Sequence, residues 1–445
     1  MSAYPHTDHA RNKTQELQAK LNQAAKASPK RRFHALYDRI YRSDVLDSAW
    51  ELVKKNHGAP GVDGISIEDL EAEGPQGVQA FLGEIQQDLL MHRYEPQPVR
   101  RVSIPKADGK LRHLGIPTVR DRVAQAAAKL VLEPIFEADF LDCSYGFRPR
   151  RSAHQALEAI RAEVHRGRVH VVDADIAAFF DSIPREVILD AMRTRICDRR
   201  VLELIKGWLR AGIITAEGQL LDPDTGTPQG GVLSPLLANA VLHRLDQAWQ
   251  PMSIRLGVLV RYADDLVILC ATRERAQASL GHLRAILAGM GLTLSDAKTR
   301  LVNLRTPKEG FDFLGFHHRL AKTKKGKANC YRWPSKKAVA KARDQIRSRT
   351  GPRDRSKSYQ AMVKDLNRYL VGWRGYFRHG NSAKVFSKLD HYIFERLARL
   401  ITRKHGRSGA AYGRWVLATN AYLGLAKLSG SIVYDVRMPP AKVYG

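Results

Sequence analysis

Two adjacent aspartates, Asp264 and Asp265, stand between two apolar stretches of a strongly basic chain. The surrounding sequence LGVLVRYADDLVILC, residues 256–270, predicts two β-strands that join at the acidic pair, because it offers no other turn residues. Two carboxylates beside buried strands cost free energy, since like charges repel and burial removes their water. A divalent cation removes that cost, and Mg²⁺ prefers carboxylate oxygens. The pair therefore predicts a magnesium site with a third carboxylate on a neighbouring strand.

A second valine-rich stretch, VHVVDADI at residues 169–176, supplies candidates for the third carboxylate. In a strand, Val169, Val171, Asp173 and Asp175 lie on one face. Asp173, Asp175 or both could meet the other acidic pair, and spacing alone does not choose between them. Two metal ions held by such carboxylates would activate a 3′-hydroxyl and stabilise a departing pyrophosphate, which is the mechanism of polymerases.

The charge of the chain indicates a polyanionic partner. Its 445 residues contain 73 Lys and Arg against 45 Asp and Glu, a formal net charge of +28. Residues 321–445 hold 29 of these cations and only 6 of the acids, so the last part of the chain carries most of the field. The polar N-terminus and the absence of about 18 consecutive apolar residues favour nucleic acid over a membrane as the partner.

Four widely spaced cysteines, without a CxxC pair, predict a reduced, intracellular protein. We expect a cytoplasmic bacterial protein associated with the nucleoid, with an organelle as the second choice. The sequence carries no signal for a particular oligomeric state.

The distribution of helix and strand patterns predicts an α+β fold in four parts. A basic polar N-terminal extension covers residues 1–44, and a mixed unit of antiparallel strands and helices covers residues 45–325. The extension is expected to be a mobile arm or a surface helix. Helical, Lys/Arg-rich segments follow at residues 326–410, and a short C-terminal segment occupies residues 411–445.

Five ordered blocks resemble the reverse transcriptase and maturase proteins that bacterial and organellar group II introns encode. The blocks are SYGFRPRRSAHQAL at 144–157, DIAAFFD at 175–181, TPQGGVLSPLLAN at 227–239, YADD at 262–265 and GWRGYFRHGNSAKVFSKLDHY at 372–392. The resemblance covers residues 45–405. It implies right-hand polymerase fingers and palm over 45–325 and an α-helical basic thumb, or maturase X domain, over 326–410.

The resemblance also implies roles for particular residues. It selects Asp175 over Asp173 and Asp181 as the metal ligand, together with Asp264, Asp265 and the backbone carbonyl of Ile176. A bulky residue at Phe180 would exclude a 2′-hydroxyl and favour dNTPs, with Phe179 in the core. Further nucleotide contacts are expected from Lys106 and Arg112, which flank a predicted hairpin turn, and from Gln229, Gly230 and Lys298.

The basic C-terminal region is expected to bind nucleic acid through interleaved aromatic and cationic side chains. The alternative is that the aromatic rings form the thumb core. The expected contacts come from Trp373, Arg374, Tyr376, Arg378, Lys384 and Lys388. The implied partners are group II intron RNA, an RNA template with a DNA primer, a DNA target and dNTPs, with Mg²⁺ as the cofactor.

Two other functions remain open at the level of sequence. One is a domesticated reverse transcriptase in defence or repair, and the other is an RNA-binding splicing cofactor whose polymerase has decayed. The intact YADD, Asp175 and PQGG argue against decay, and YADD rather than GDD argues against a viral RNA polymerase. About 35 residues follow the predicted thumb without a Cys pair, so we expect no HNH-type nuclease and no second-strand cleavage.

Overall fold

The structure is a computed structural model that describes residues 5–105, 111–221, 230–352, 356–419 and 424–433. Its helices are α1 (Pro5–Ala27), α2 (Tyr37–Ile40), α3 (Ser43–Lys54), α4 (Ile67–Ala72), α5 (Gly74–Leu90), α6 (Val119–Glu137), α7 (Ala153–His165), α8 (Phe179–Ser182), α9 (Arg185–Arg193), α10 (Arg199–Arg210), α11 (Ser234–Trp249), α12 (Arg273–Ala288), α13 (Lys336–Ser348), α14 (Tyr359–Phe377), α15 (Ala383–Lys404) and α16 (Ala411–Thr419).

The strands are β1 (Val99–Pro105), β2 (Leu111–Ile116), β3 (His170–Asp175), β4 (Ile213–Ile214), β5 (Leu220–Leu221), β6 (Val258–Tyr262), β7 (Asp265–Cys270), β8 (Arg300–Asn303), β9 (Phe311–Phe313), β10 (Phe316–Lys322) and β11 (Ala328–Pro334). They form three sheets, with the orders β2-β1-β4-β5, β6-β7-β3-β8 and β11-β10-β9. Helices together with mainly antiparallel sheets confirm the α+β fold class.

The central sheet, β6-β7-β3-β8, is antiparallel throughout and is buried on both faces. On one face Val172 and Ile268 join a large apolar cluster that includes Leu283 of α12. On the other face Val171 and Val267 join a second cluster with α7. Because side chains alternate along a strand, this arrangement fixes which residues can reach the open end of each face.

The N-terminal helix α1 packs against the body of the protein. Leu17, Leu21 and Ala25, spaced four residues apart, are buried on one face of the helix. Asn22 is also buried, and its side-chain amide donates a 2.8 Å hydrogen bond to the carbonyl of Pro134 in α6. This segment is therefore a docked surface helix and not a mobile arm.

The N-terminal sheet begins with the hairpin-like pair of β1 and β2, whose register runs from Arg100 opposite Ile116 to Pro105 opposite Leu111. The predicted turn at residues 106–110 lies outside the described residues. β4 extends this sheet by pairing parallel to β1.

The helical C-terminal part shares the second apolar cluster with the central sheet. Phe316 of β10, Ile346 of α13 and Phe386 of α15 are buried there together with Val171. The predicted division at residues 325 and 326 lies between β10 and β11, which pair with each other. In the part of the chain that the structure describes, no helix is both long and apolar enough to cross a membrane.

Candidate active site

The acidic pair occupies the turn between β6 and β7. Tyr262 and Asp265 are opposite each other across the two strands, so Ala263 and Asp264 form a two-residue turn. Ala263 has φ +55°, a left-handed conformation that an L-residue with a Cβ adopts only when its surroundings require it. The turn is therefore tightly specified.

A buried arginine, Arg261, holds this turn from behind. Its Nε and Nη2 donate to the carboxylate of Asp246 of α11 at 2.8 and 2.5 Å, and its Nη1 donates to the side chain of Asn239 and to the carbonyl of Ala263. Asn239 in turn donates to the carbonyl of Gly146 at 2.8 Å. A Cβ at Gly146 would lie 2.4 Å from the backbone nitrogen of Ala263, so only glycine fits under the turn.

The blocks at 144–157 and 227–239 thus meet the YADD block from behind, through Gly146 and Asn239. The sequence did not predict these contacts. Arg261, Asp246 and Asn239 are each no more than 1% exposed. The available signal was the arginine inside the apolar run LGVLVRY, because a buried charge requires a paired partner.

Of the two aspartates of β3, Asp175 lies nearer the acidic turn. The register of β3 and β7 places Asp175 directly opposite Asp265, while Asp173 lies opposite Val267. Residues directly opposite in an antiparallel pair have Cβ atoms about 4.5–5.5 Å apart. The structure therefore brings Asp175, Asp264 and Asp265 to one end of the central sheet.

Two cations at the start of β8 and just before it, Arg300 and Lys298, face the aspartates of β3. The Nζ of Lys298 lies 2.7 Å from Oδ2 of Asp175, and the Nε of Arg300 lies 3.0 Å from Oδ2 of Asp173. The backbone nitrogen of Ser295 donates to the carbonyl of Asp175 at 2.8 Å, which fixes this segment against the end of β3. Lys298 remains 67% exposed and can turn towards a ligand.

The carboxylates at this site repel one another strongly. Solvent reaches Asp265, yet the protein around its carboxyl desolvates the charged form. The charges of Asp264, Asp175 and Asp173 add to this effect, and the pKa of Asp265 is raised to about 7 although Lys298 acts in the opposite direction. The site therefore has an excess of negative charge that a cation would neutralise.

The donor set fits Mg²⁺ in its chemistry. Mg²⁺ typically binds one or two protein carboxylates and completes its shell with water and substrate phosphates. Asp175, Asp264 and Asp265 supply hard oxygen donors, although among the described residues no group of three or more His, Cys, Asp or Glu side chains has the geometry of a preformed metal site. Asp175 is instead paired with Lys298.

Comparison with protein families identifies this arrangement. Residues 104–318 match the family described as reverse transcriptase (RNA-dependent DNA polymerase), and residues 339–419 match the group II intron, maturase-specific domain. The chain belongs to the group II intron reverse transcriptase and maturase family. It is an RNA-directed DNA polymerase, and the central sheet is the palm of that enzyme.

Curated relatives support this assignment. Protein YkfC of Escherichia coli K12 is 34% identical over 348 residues, which are 68% of this chain and 87% of the relative. The group II intron-encoded protein LtrA of Lactococcus lactis is 38% identical over 216 residues, 48% of this chain but only 35% of LtrA. An uncharacterised 91 kDa protein in a cob intron of Schizosaccharomyces pombe is 35% identical over 217 residues, covering 47% of this chain and 25% of that protein.

The residues expected on the nucleotide side of the polymerase are described only in part. Phe179 is buried at 2% exposure, and Phe180 beside it is half-buried against the same apolar cluster, so of the two rings Phe180 is the more accessible. Ile176 is buried after the end of β3. Lys106 and Gln229 lie outside the described residues, as does the side chain of Arg112 on β2.

Gly230 places the end of the PQGG loop against the fingers strand β2. It has φ +127°, and a Cβ there would lie 2.4 Å from the carbonyl oxygen of Gly115. Only glycine can occupy this position without displacing the backbone. Gly230, a few residues before the palm helix α11, therefore lies in direct contact with the fingers sheet.

The aromatic side chains expected to stack on bases pack within the thumb. The ring of Trp373 lies 4.6 Å from that of Phe377 and 5.6 Å from that of Phe386. The hydroxyl of Tyr376 donates to the carbonyl of Leu314 at 2.9 Å. Both residues are half-buried against the second apolar cluster, so the arrangement favours the alternative in which they form the thumb core.

The cations of the thumb differ in how far they are free to bind a phosphate. Arg374 donates to the carbonyl of Lys427 at 2.8 Å, and Arg378 is half-buried, whereas Lys384 and Lys388 are exposed on α15. Lys388 lines a groove of about 530 Å³ together with Arg343, Arg396 and Arg399. Its four cations outnumber the one lining carboxylate, Glu395, so its charge suits a phosphate backbone.

Proposed function

We propose that this protein extends a primer 3′-hydroxyl with dNTPs on an RNA template by a two-Mg²⁺ mechanism. The observation that carries the proposal is the register that sets Asp175 opposite Asp265, beside Asp264 in the turn. Burial and the neighbouring carboxylates raise the pKa of Asp265 to about 7, so a cation bound here would stabilise its charged form.

In the proposed reaction the 3′-oxygen forms a bond to the α-phosphorus, and the bond from that phosphorus to the pyrophosphate oxygen breaks. Asp175, Asp264 and Asp265 would hold Mg²⁺, with the carbonyl of Ile176 as a further donor. When bound, the metal ions favour loss of the proton from the primer hydroxyl and neutralise charge on the phosphates. Lys298, an exposed cation beside Asp175, would offset charge on the departing pyrophosphate.

The proposed selection of dNTPs rests on Phe180. Its neighbour Phe179 is buried in the core, which leaves the accessible Phe180 ring to contact the sugar. A ring at this position would clash with a 2′-hydroxyl. Lys106, Arg112, Gln229 and Gly230 are proposed to contact the triphosphate and the template base.

We further propose that the thumb and its basic groove bind group II intron RNA and assist its splicing and mobility at a DNA target. The match of residues 339–419 to the maturase-specific domain supports this proposal. The exposed Lys384 and Lys388 and the cationic groove on α15 supply phosphate contacts. In this proposal residues 45–325 catalyse DNA synthesis and residues 326–410 bind the RNA.

Primer extension by purified protein tests the proposal. With an RNA template and Mg²⁺, the wild type should incorporate dNTPs far faster than NTPs, and Asp264→Ala should abolish incorporation while leaving the far-UV circular dichroism unchanged. If the folded wild type binds structured RNA but makes no product, the polymerase mechanism proposed here is wrong.

A further inference from the structure

A row of four aromatic rings lies where the thumb helices α14, α15 and α16 meet. The hydroxyl of Tyr359 is 2.7 Å from Nε2 of His405, and the His405 ring is 5.1 Å from that of Tyr412. The Tyr412 ring is 6.0 Å from Trp415 at an interplanar angle of 32°. These four rings form a continuous surface, which we call the stacking platform.

The platform ends at an exposed tryptophan. The next two residues of α16, Val416 and Leu417, are each 8% exposed and turn into the second apolar cluster. Trp415 points the other way and is 61% exposed. A tryptophan is usually among the most buried residues, so an exposed one next to other rings indicates a surface for a flat apolar partner.

Cationic side chains lie over or beside the rings of the platform. The guanidinium of Arg407 lies 4.3 Å from the Tyr412 ring centroid, and the Nζ of Lys404 lies 5.1 Å from that of Tyr359. Arg403 is exposed in the last turn of α15. The Arg414 guanidinium is paired with Glu395 at 2.8 Å, which neutralises that carboxylate at the base of α16.

We propose that the stacking platform binds single-stranded nucleic acid by stacking an unpaired base on Trp415, the exposed ring at its end. Rings supply faces for bases and the interleaved cations supply phosphate contacts, which is the combination that single-stranded nucleic acid requires. A duplex is a poor fit, because its bases are already stacked on each other. The platform replaces Trp373 and Tyr376, whose rings are engaged in the thumb core, as the place where bases stack.

This inference rests on the proposed function in one respect, namely that the thumb binds nucleic acid. It goes further in assigning the unpaired part of the template or intron RNA to one end of the thumb. Stacking does not read the sugar, so RNA and DNA strands share the chemistry and separate arms of the test distinguish them.

Fluorescence anisotropy on the full chain tests the platform. The probes are labelled strands of about 12 nucleotides, made as oligoadenylate RNA, as oligoadenylate DNA and as an abasic strand with the same phosphates. Trp415→Ala should weaken binding of the two oligoadenylates about tenfold and of the abasic strand less than about twofold, because only the stacking contribution is lost. Trp415→Phe should restore most of the affinity.

Ile254→Ala is the matched control, since Ile254 is a large apolar side chain that is 88% exposed on the palm. It should bind all three probes as the wild type does. A ribose preference in the wild type would identify RNA as the natural strand, and equal affinity would identify a site for either strand.

The inference is overturned if Trp415→Ala binds the oligoadenylates as well as the wild type, or if it loses the same factor on the abasic strand. Primer extension by the wild type in the same preparation separates the two proposals. An active polymerase whose binding ignores Trp415 contradicts the platform alone, while an inactive wild type contradicts the proposed polymerase mechanism whatever Trp415 does.

Discussion

At the scale of single residues, the position of the acidic turn depends on one buried guanidinium. Arg261 is 0% exposed and pairs with Asp246, which is 1% exposed. Removing one partner of a buried ion pair leaves the other charge without compensation in a medium of low dielectric constant. Stability and catalytic geometry are therefore linked through the same side chain.

Arg261→Met should lower the free energy of unfolding by about 3–5 kcal/mol, because Asp246 would remain buried without its partner. Urea unfolding followed by tryptophan fluorescence measures the change. Arg284→Ala is the control, since Arg284 pairs with Asp296 on the surface and its removal should cost less than about 1 kcal/mol. Equal losses of unfolding free energy in the two variants would show that the buried pair of Arg261 and Asp246 stabilises the fold no more than a surface pair does.

Lys298→Ala should bind Mn²⁺, a spectroscopic substitute for Mg²⁺, about threefold more tightly while it extends primers more slowly. The variant loses the cation that lies 2.7 Å from Asp175 and competes with a metal ion for it. Titration followed by electron paramagnetic resonance gives the affinity. Arg300→Ala, which removes the cation beside Asp173, should change the affinity less, and weaker Mn²⁺ binding in Lys298→Ala would contradict the account.

At the scale of secondary-structure elements, α11 and β10 each bury a histidine. His243 and His318 have no hydrogen-bond partner for either ring nitrogen among the described residues. Burial lowers the pKa of His243 to about 4, helped by Arg261 and Arg148 and opposed by Asp246. Burial lowers the pKa of His318 to about 3, helped by Arg332 and His317.

The stability that His243 and His318 contribute should therefore fall as the pH drops below about 6.5, while the raised pKa of Asp265 acts in the opposite direction. Both histidines are neutral in the folded state but gain a proton in the unfolded state near their ordinary pKa, so their contribution is complete above about pH 6.5 and declines towards pH 4 and 3. Between pH 7 and pH 5 each should cost about 2 kcal/mol. Urea unfolding at both pH values should show that the change from pH 7 to pH 5 is about 2 kcal/mol less destabilising in His318→Phe than in the wild type, and an identical change would count against this explanation.

Elements with a strong local pattern were predictable from the sequence, and elements defined by distant partners were not. The alternation of valine and aspartate in residues 169–176 and the break at Asp264 were sufficient to predict β3, β6 and β7. The docking of α1 depends on a face that contains Ala25 and Asn22, which carries little apolar signal. Trp373 illustrates the remaining limit, because a ring in the thumb core and a ring that stacks on a base have the same helical spacing.

At the scale of the whole molecule, the palm and thumb share one apolar cluster. Val171 and Val267 from the palm are buried together with Phe386 and Leu397 from α15. Removing the thumb would expose this face of the central sheet to water at about 25 cal/mol for each Å² uncovered. The two regions should behave as one folding unit although they carry different proposed tasks.

Calorimetry should accordingly show a single transition for the palm and thumb. Phe386→Ala should lower the melting temperature of that transition as a whole, because it leaves a cavity in the shared cluster at a cost of about 3–5 kcal/mol. Val371→Ala, at an exposed position on α14, is the control and should melt like the wild type. A separate early thumb transition in Phe386→Ala would contradict the shared core.

The most direct test of the proposed mechanism is a comparison of the two aspartates of β3. Mg²⁺-dependent incorporation of one dNTP onto a primed RNA template is measured for Asp175→Asn and for Asp173→Asn. The register that places only Asp175 opposite Asp265 predicts that Asp175→Asn loses at least about a thousandfold in rate, whereas Asp173→Asn stays within about tenfold of the wild type. Rapid incorporation by folded Asp175→Asn would contradict the carboxylate site on which the proposed mechanism depends.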